Sequence, residues 1–343
     1  MKLSVVDQSP VPAGFTPADA LHNTIDLARL ADRLGFERYW IAEHHATSAF
    51  ASPAPEIILP LVGAATSTIR IGTGGILLPH YSPMKVAEVF RVLHALYPGR
   101  IDLGLGRAPG GSPLDSFALR RDRKQSTSID DFPQQLMELL AFLSRSFRED
   151  HPFSRIELSP AMPGGPEVWL LGSSPWSAAA AAQVGLPYAF AHFIDPTHTR
   201  MAIEYYQKNF TRSEAMPAPR TILSVGAICA ETEEEADHLA MSGRLLVRRF
   251  RQGGARGPVP TPEQASAELG SDRSDPWFGQ HSEFPRSFVG EPEQVSTRII
   301  DMASQLNVDE VMIVTVVHDH QARRRSHELL AKAFNLTPRA AAS

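Results

Sequence analysis

Glu43, His44 and His45 stand together at the end of an apolar run, in the stretch YWIAEHHATS. A carboxylate beside two imidazoles can transfer protons near neutral pH or take part in a metal site. Neighbouring side chains on an extended chain point to opposite faces, so the two histidines cannot easily share one ion or one substrate. Similar chemistry follows other apolar runs. GTGGILLPHYSP supplies Gly74, Gly75 and His80, and DLGLGRAPGG supplies Gly104, Gly106 and Arg107. WLLGSSPWS supplies Gly172, Ser173, Ser174, Trp176 and Ser177; His192 and the HDH triplet at 318–320 follow two later runs.

Each group has a functional and a structural reading. Gly-Ser-Ser before a proline and an alanine-rich helix outlines a phosphate cradle, with backbone N–H groups at a positive helix end and Arg107 as a charge-assisted donor. The same residues also make an ordinary helix cap. Gly74 and Gly75 inside an apolar strand mark either a kink or the close approach of a flat ligand. His318 and His320 share a face and could hold a metal, but Asp319 between them reads better as the cap of a helix, and no metal is expected.

These residues recur because the elements that carry them recur. Strand patterns at 3–6, 38–42, 69–78, 101–105, 168–171, 188–190, 221–229 and 310–316 alternate with amphipathic helical patterns, which open on Thr-Pro or Ser-Pro and stop at glycine. Eight strands and eight helices in strict order predict an α/β fold of one domain over 1–343, a closed (β/α)8 TIM barrel. An open doubly wound sheet would want a glycine-rich turn after the first strand, where this chain has VVDQSPVPAG. Two polar stretches interrupt the rhythm, about 107–129 after the fourth strand and 252–287 after the seventh. They are expected to lie over the active-site mouth as loop and lid, and Trp277, Phe278, Phe284 and Phe288 argue that the second is not purely disordered.

Composition narrows the function. Of 343 residues 43% are hydrophobic, enough for a sizeable core, and 33 basic against 38 acidic residues give a formal charge of −5 with no basic block that would track a phosphate backbone, so nucleic acid is not expected as a partner. The one cysteine, Cys229, excludes a disulfide framework or a thiolate cluster. No segment reads as a signal peptide or a membrane span, so a cytoplasmic protein without membrane attachment is expected.

Taken in order, YWIAEHHATS, TSTIRIGTGGILLPHYSPMKVAEVFRVLHALYPGRIDLGLGRAPG, VWLLGSSPWSAAAAAQVGLPYAFAHF and FVGEPEQVSTRIIDMASQLNVDEVMIVTVVHDHQARRRSHELLAKAF resemble the bacterial luciferase-like flavin monooxygenases. The resemblance covers almost the whole chain outside the two insertions. It implies a (β/α)8 barrel that binds reduced FMN delivered by a separate flavin reductase, reacts it with O2 to a C4a-hydroperoxyflavin, and oxygenates a small organic substrate. It also implies that His44 is the catalytic histidine; an imidazole there is expected to act as general base or acid at near-neutral pKa, with His45 packing or orienting on the other face. By the same resemblance Gly74 and Gly75 form a bulge, often a non-prolyl cis peptide, under the flavin ring. Arg107 with Gly172, Ser173, Ser174, Trp176 and Ser177 would hold the phosphate. A homodimer is expected through the helices at 53–66 and 83–96. The light emitters carry a reactive cysteine where this chain has Gly106, which puts light emission in doubt. The rivals are a deazaflavin-dependent hydride-transfer enzyme and a non-catalytic flavin-binding protein.

Overall fold

Strand β2 (Arg38–Ile41) shows how the sequence builds the molecule. Tyr39 and Ile41 face outward into the main core against the helices, whereas Trp40 and, just beyond the strand, Ala42 face inward with Val6, Trp169, Ala189, Ile222, Met312 and Val314. Two-residue alternation thus assigns each residue to the sleeve of helices or to the barrel interior.

The computed structural model describes residues 1–108, 113–119, 131–253, 257–271 and 282–338. In chain order its first half holds β1 (Lys2–Asp7), α1 (Pro17–Leu34), β2, α2 (Pro55–Ala65), β3 (Arg70–Thr73), β4 (Ile76–Leu77), α3 (Pro83–Leu96), β5 (Ile101–Gly106), α4 (Pro113–Leu119) and α5 (Phe132–Ser144). The second half holds β6 (Glu167–Gly172), α6 (Pro175–Val184), β7 (Tyr188–Ala191), α7 (Thr199–Asn209), β8 (Thr221–Cys229), α8 (Glu233–Arg251), α9 (Pro262–Leu269), β9 (Ser287–Gly290), α10 (Pro292–Gln305), β10 (Glu310–Val314) and α11 (His320–Ala333). All the strands pair in parallel, in the order β10-β1-β2-β3-β5-β6-β7-β8, and β10 returns to β8 to close the barrel. This is the predicted (β/α)8 barrel, with each expected strand in place.

Local signals start and stop the helices as the sequence suggests. Thr16 caps α1 in a reciprocal box with Asp19, and Gly35 ends it at φ 89°. A Cβ on Gly35 would also meet the Thr337 carbonyl oxygen at 2.3 Å, so glycine is required there twice over. Three glutamates open α8 and three arginines close it, complementing its dipole.

A layer of charge seals the N-terminal end of the barrel. Arg38, 1% exposed, donates to Asp102 at 2.7 Å, to Glu310 at 2.9 Å and to Glu167 at 3.0 Å, and Trp40 Nε1 donates to Asp102 at 2.9 Å. Arg70 pairs with Asp102 and Arg220 with Glu167. Burial raises the Glu167 carboxyl, but its bond to Arg220 and the arginine charges outweigh this and hold it well below the usual carboxylate range. Buried charges persist only when paired in this way, and here they close the floor beneath the cavity.

The second polar stretch is not one open loop. Val259 bonds Val11 and Ala13, the α9 residues Ala265 and Leu269 pack on Met241 and Leu245 of α8, and β9 pairs with the far half of β8. Gly226 is paired to both Val314 and Ser287, so β9 takes the edge of β8 that β7 leaves after Ala191. Phe284 and Phe288 are buried, as their apolar character suggested. The rest of the expected lid, including Trp277 and Phe278 at 272–281, lies outside the described residues, as do 109–112 and 120–130 of the first stretch.

Candidate active site

At the C-terminal ends of the strands the barrel opens into a cavity of about 1480 Å³. Sites for a single drug-sized ligand run from about 300 to 1,000 Å³, so this one has room for more than one such molecule. Its lining brings together His44, Gly74, Gly75, Arg107, Gly172, Ser173, Ser174, Trp176 and Ser177.

His44 continues the inward parity of Arg38, Trp40 and Ala42, which is why it faces the cavity while His45 does not line it. Its backbone N–H donates to the Ser52 carbonyl at 3.0 Å, because the chain turns back at Ala46, a non-glycine residue held at φ 50°. The ring packs 4.6 Å from that of Phe50. Burial, and secondarily the neighbouring His45, pull its pKa down to about 4. The expectation of a near-neutral pKa is therefore corrected: the low-dielectric pocket penalises the imidazolium, and His44 is neutral at ordinary pH. Its Nδ1 is buried and has no hydrogen-bond partner.

Glu43 is paired with His45. His45 Nε2 lies 2.6 Å from Glu43 Oε1, the same oxygen accepts the Tyr81 hydroxyl at 2.8 Å, and Oε2 accepts the Leu77 N–H at 2.9 Å. His80 stands edge-on to His45 at 6.1 Å, outside the cavity lining.

The Gly74–Gly75 peptide is cis. A Cβ on Gly74 would reach inward to 2.9 Å from Val6 Cγ2, and one on Gly75 would lie 2.7 Å from the Gly104 carbonyl oxygen. Larger residues would therefore need the barrel wall to move. Both glycines border the cavity.

Across the cavity, Ser174 caps α6 by accepting the Ser177 N–H. The Ser177 hydroxyl donates to the Ser174 carbonyl at 2.7 Å and lies 2.9 Å from the Tyr188 hydroxyl, so it secures the turn. A Cβ on Gly172 would meet that hydroxyl at 2.4 Å. The Arg107 guanidinium lies 4.1 Å over the Trp176 ring, which brings its charge to the same turn.

The remaining histidines of interest are held by the protein. His192 lies 2.7 Å from Thr199 Oγ1 and 2.9 Å from the Pro285 carbonyl, His318 contacts the Ala13 carbonyl, and His320 contacts Asp26. Asp319 caps α11, as its sequence context suggested. Among the described residues no three of His, Cys, Asp or Glu gather where they could hold one ion.

Sequence reasoning missed the opposite wall. Gly243, Leu246, Val247 and Phe250 of α8 line the cavity with Phe193 and Arg286, and Phe250 stacks on Phe50 at 5.8 Å. Nothing in the sequence of α8 shows that this helix borders the barrel mouth.

A luciferase-like monooxygenase model matches residues 1–310. The chain belongs to the luciferase-like monooxygenase family. A luciferase-like monooxygenase of Escherichia coli strain K12 is 37% identical over 329 residues, 95% of each chain. The crystal structure of apo-MsnO8 superposes with a TM-score of 0.90 at 48% identity, covering 98% of this chain and 99% of that one. More distant structures share the fold alone. The oxygenating constituent of 3,6-diketocamphane monooxygenase of Pseudomonas putida, in complex with FMN, has a TM-score of 0.69 at 21% identity, covering 99% and 98% of the two chains. An F420-dependent secondary alcohol dehydrogenase has one of 0.66 at 13%, covering 96% and 98%. This luciferase-like chain therefore sits in a fold that serves more than one flavin-type cofactor.

Proposed function

We propose that the protein is the oxygenase component of a two-component system, taking reduced FMN from a separate flavin reductase and using O2 to oxygenate a small organic substrate. The observation that carries this reading is the pairing, in one cavity, of an arginine and a helix N-terminus with an imidazole whose buried Nδ1 has no protein partner and with the Gly74–Gly75 wall. That arrangement suits a ligand with an anionic tail and a flat, polar-edged ring. Bound reduced FMN would supply the two electrons with which O2 is divided between the product and water.

The chain's own part is to bind, orient and exclude water. Arg107 and the turn at 172–177 would hold the phosphate by charge and backbone donors. Gly74 and Gly75 would lie under the ring. His44, neutral and bordering the cavity, would donate or accept one hydrogen bond at the reacting edge, and the apolar wall of Phe50, Phe193 and Phe250 would receive the substrate. Under this reading the outward apolar side chains Ile57 and Leu61 of α2 and Val92 and Leu96 of α3 pair two subunits.

The test is to supply the protein with FMN, a flavin reductase and 18O2, and to look for one labelled oxygen in a product. Binding of a reduced deazaflavin with no O2 uptake would replace this reading with hydride transfer. Binding of FMN with no product from a broad set of substrates would favour a flavin carrier.

A further inference from the structure

We propose that Glu43 is a positioning residue that fixes the spacing between His44 and the Gly74–Gly75 turn. The inference rests on the flavin reading above, since it concerns how the two walls of that site are held together.

Backbone pairing between β2 and β3 runs from Arg38 and Arg70 to Ile41 and Thr73, and the last bond at this seam is from the Gly74 N–H to the Ile41 carbonyl at 2.8 Å. Past that point the chains diverge, one toward His44 and the other through Gly75 toward Leu77. The Glu43 side chain then takes over the link. Its carboxylate is fully buried and meets three donor groups from three places: His45, next to His44; Leu77, two residues beyond Gly75; and Tyr81, beyond the short turn at Leu78–His80.

The chemistry calls for a carboxylate in particular. All three partners can donate, and a carboxylate accepts on both oxygens, whereas a glutamine has one acceptor oxygen and could keep the Leu77 bond only by turning its NH2 toward His45 and Tyr81, which would then both have to accept. Loss of Glu43 would leave the Leu77 N–H and the Tyr81 hydroxyl without their acceptor at the seam between the imidazole and the glycine wall. Both segments would then be free to shift relative to each other, although neither the Arg107 turn nor His44 itself has changed.

The experiment titrates oxidised FMN and riboflavin into the wild-type protein and the variants Glu43→Ala, Glu43→Gln and Tyr81→Phe, following protein fluorescence and the visible spectrum of the bound flavin. Circular dichroism and thermal melting establish which variants fold. In Glu43→Ala the affinity for both flavins should fall together by about tenfold, the equivalent of about 1.4 kcal/mol. The ratio between the two flavins should be kept, because the phosphate end is untouched, and the bound-flavin spectrum should move toward that of free flavin. Glu43→Gln should not restore either property, and Tyr81→Phe should show a smaller loss in the same direction. If Glu43→Ala fails to fold, the other two variants carry the test. Wild-type affinity and spectrum in the folded variants would overturn the inference, as would a loss confined to FMN. A wild-type protein that binds neither flavin would overturn the flavin reading itself, and this inference with it.

Discussion

Arg107 lies with its guanidinium 4.1 Å above the Trp176 ring, so that a residue following β5 is held against the first turn of α6. The cation–π contact restrains the guanidinium beside that turn. Replacing Arg107 with alanine is expected to weaken FMN binding by about 2 kcal/mol, the scale of a charge-assisted hydrogen bond. Riboflavin, which lacks the phosphate, should be nearly unaffected. Parallel fluorescence titrations check this, and equal losses for both ligands would remove Arg107 from the phosphate site.

His44 gives a prediction with a pH signature. Its alanine variant should fold and bind FMN nearly as wild type but lose turnover by about 10²-fold, the scale of a positioned acid–base group. Burial places the pKa at about 4 rather than its ordinary 6.5, so the wild-type rate should stay level through the ordinary histidine range and fall only toward pH 4. A rate that follows a group near 6.5 would assign the proton chemistry elsewhere.

The barrel and its active end were legible because strands and helices each carry their own period and stops. Ala42 and His44 share the parity of Trp40, and this pattern alone separates His44 from His45 once the strand is known to face inward. The role of Glu43 was not legible, since its partners Leu77 and Tyr81 are 34 and 38 residues away and meet it only after the chain turns at Gly74–Gly75. Strand β9 was hidden for a different reason. Its four residues directly follow a polar segment that reads as loop, and nothing in the sequence set them apart from it.

Two buried histidines predict how stability responds to acid. Burial pulls both His44 and His327 down to about 4, and His327 Nε2 is buried without a partner. Above 6.5 both are neutral whether the chain is folded or not. Between 6.5 and about 4 the unfolded chain binds protons that the folded one refuses, so stability falls as pH falls through that window. Replacing His327 with glutamine should flatten this slope, even if it lowers stability at neutral pH. Thermal melting across the window checks the sign, and a wild-type midpoint that rises on acidification would contradict it.

The last prediction concerns association. On α2 Ile57 and Leu61 are 67% and 56% exposed, and on α3 Val92 and Leu96 are 47% and 58% exposed, although both helices already bury another face against the barrel. A helix that is apolar on its outer face as well as its inner one leaves surface that water solvates poorly, and contiguous patches of this kind mark interaction sites. Because the patch belongs to every copy of the chain, a two-fold pairing of like with like would cover it on both partners at once. Light scattering at micromolar protein should therefore give the mass of two chains. Leu61→Asp together with Leu96→Asp should halve that mass, since a carboxylate would have to be buried at each contact, while circular dichroism stays unchanged because both side chains already face solvent within one chain. A wild-type mass of one chain would sink the pairing. An unchanged dimer in the double variant would move it to another face.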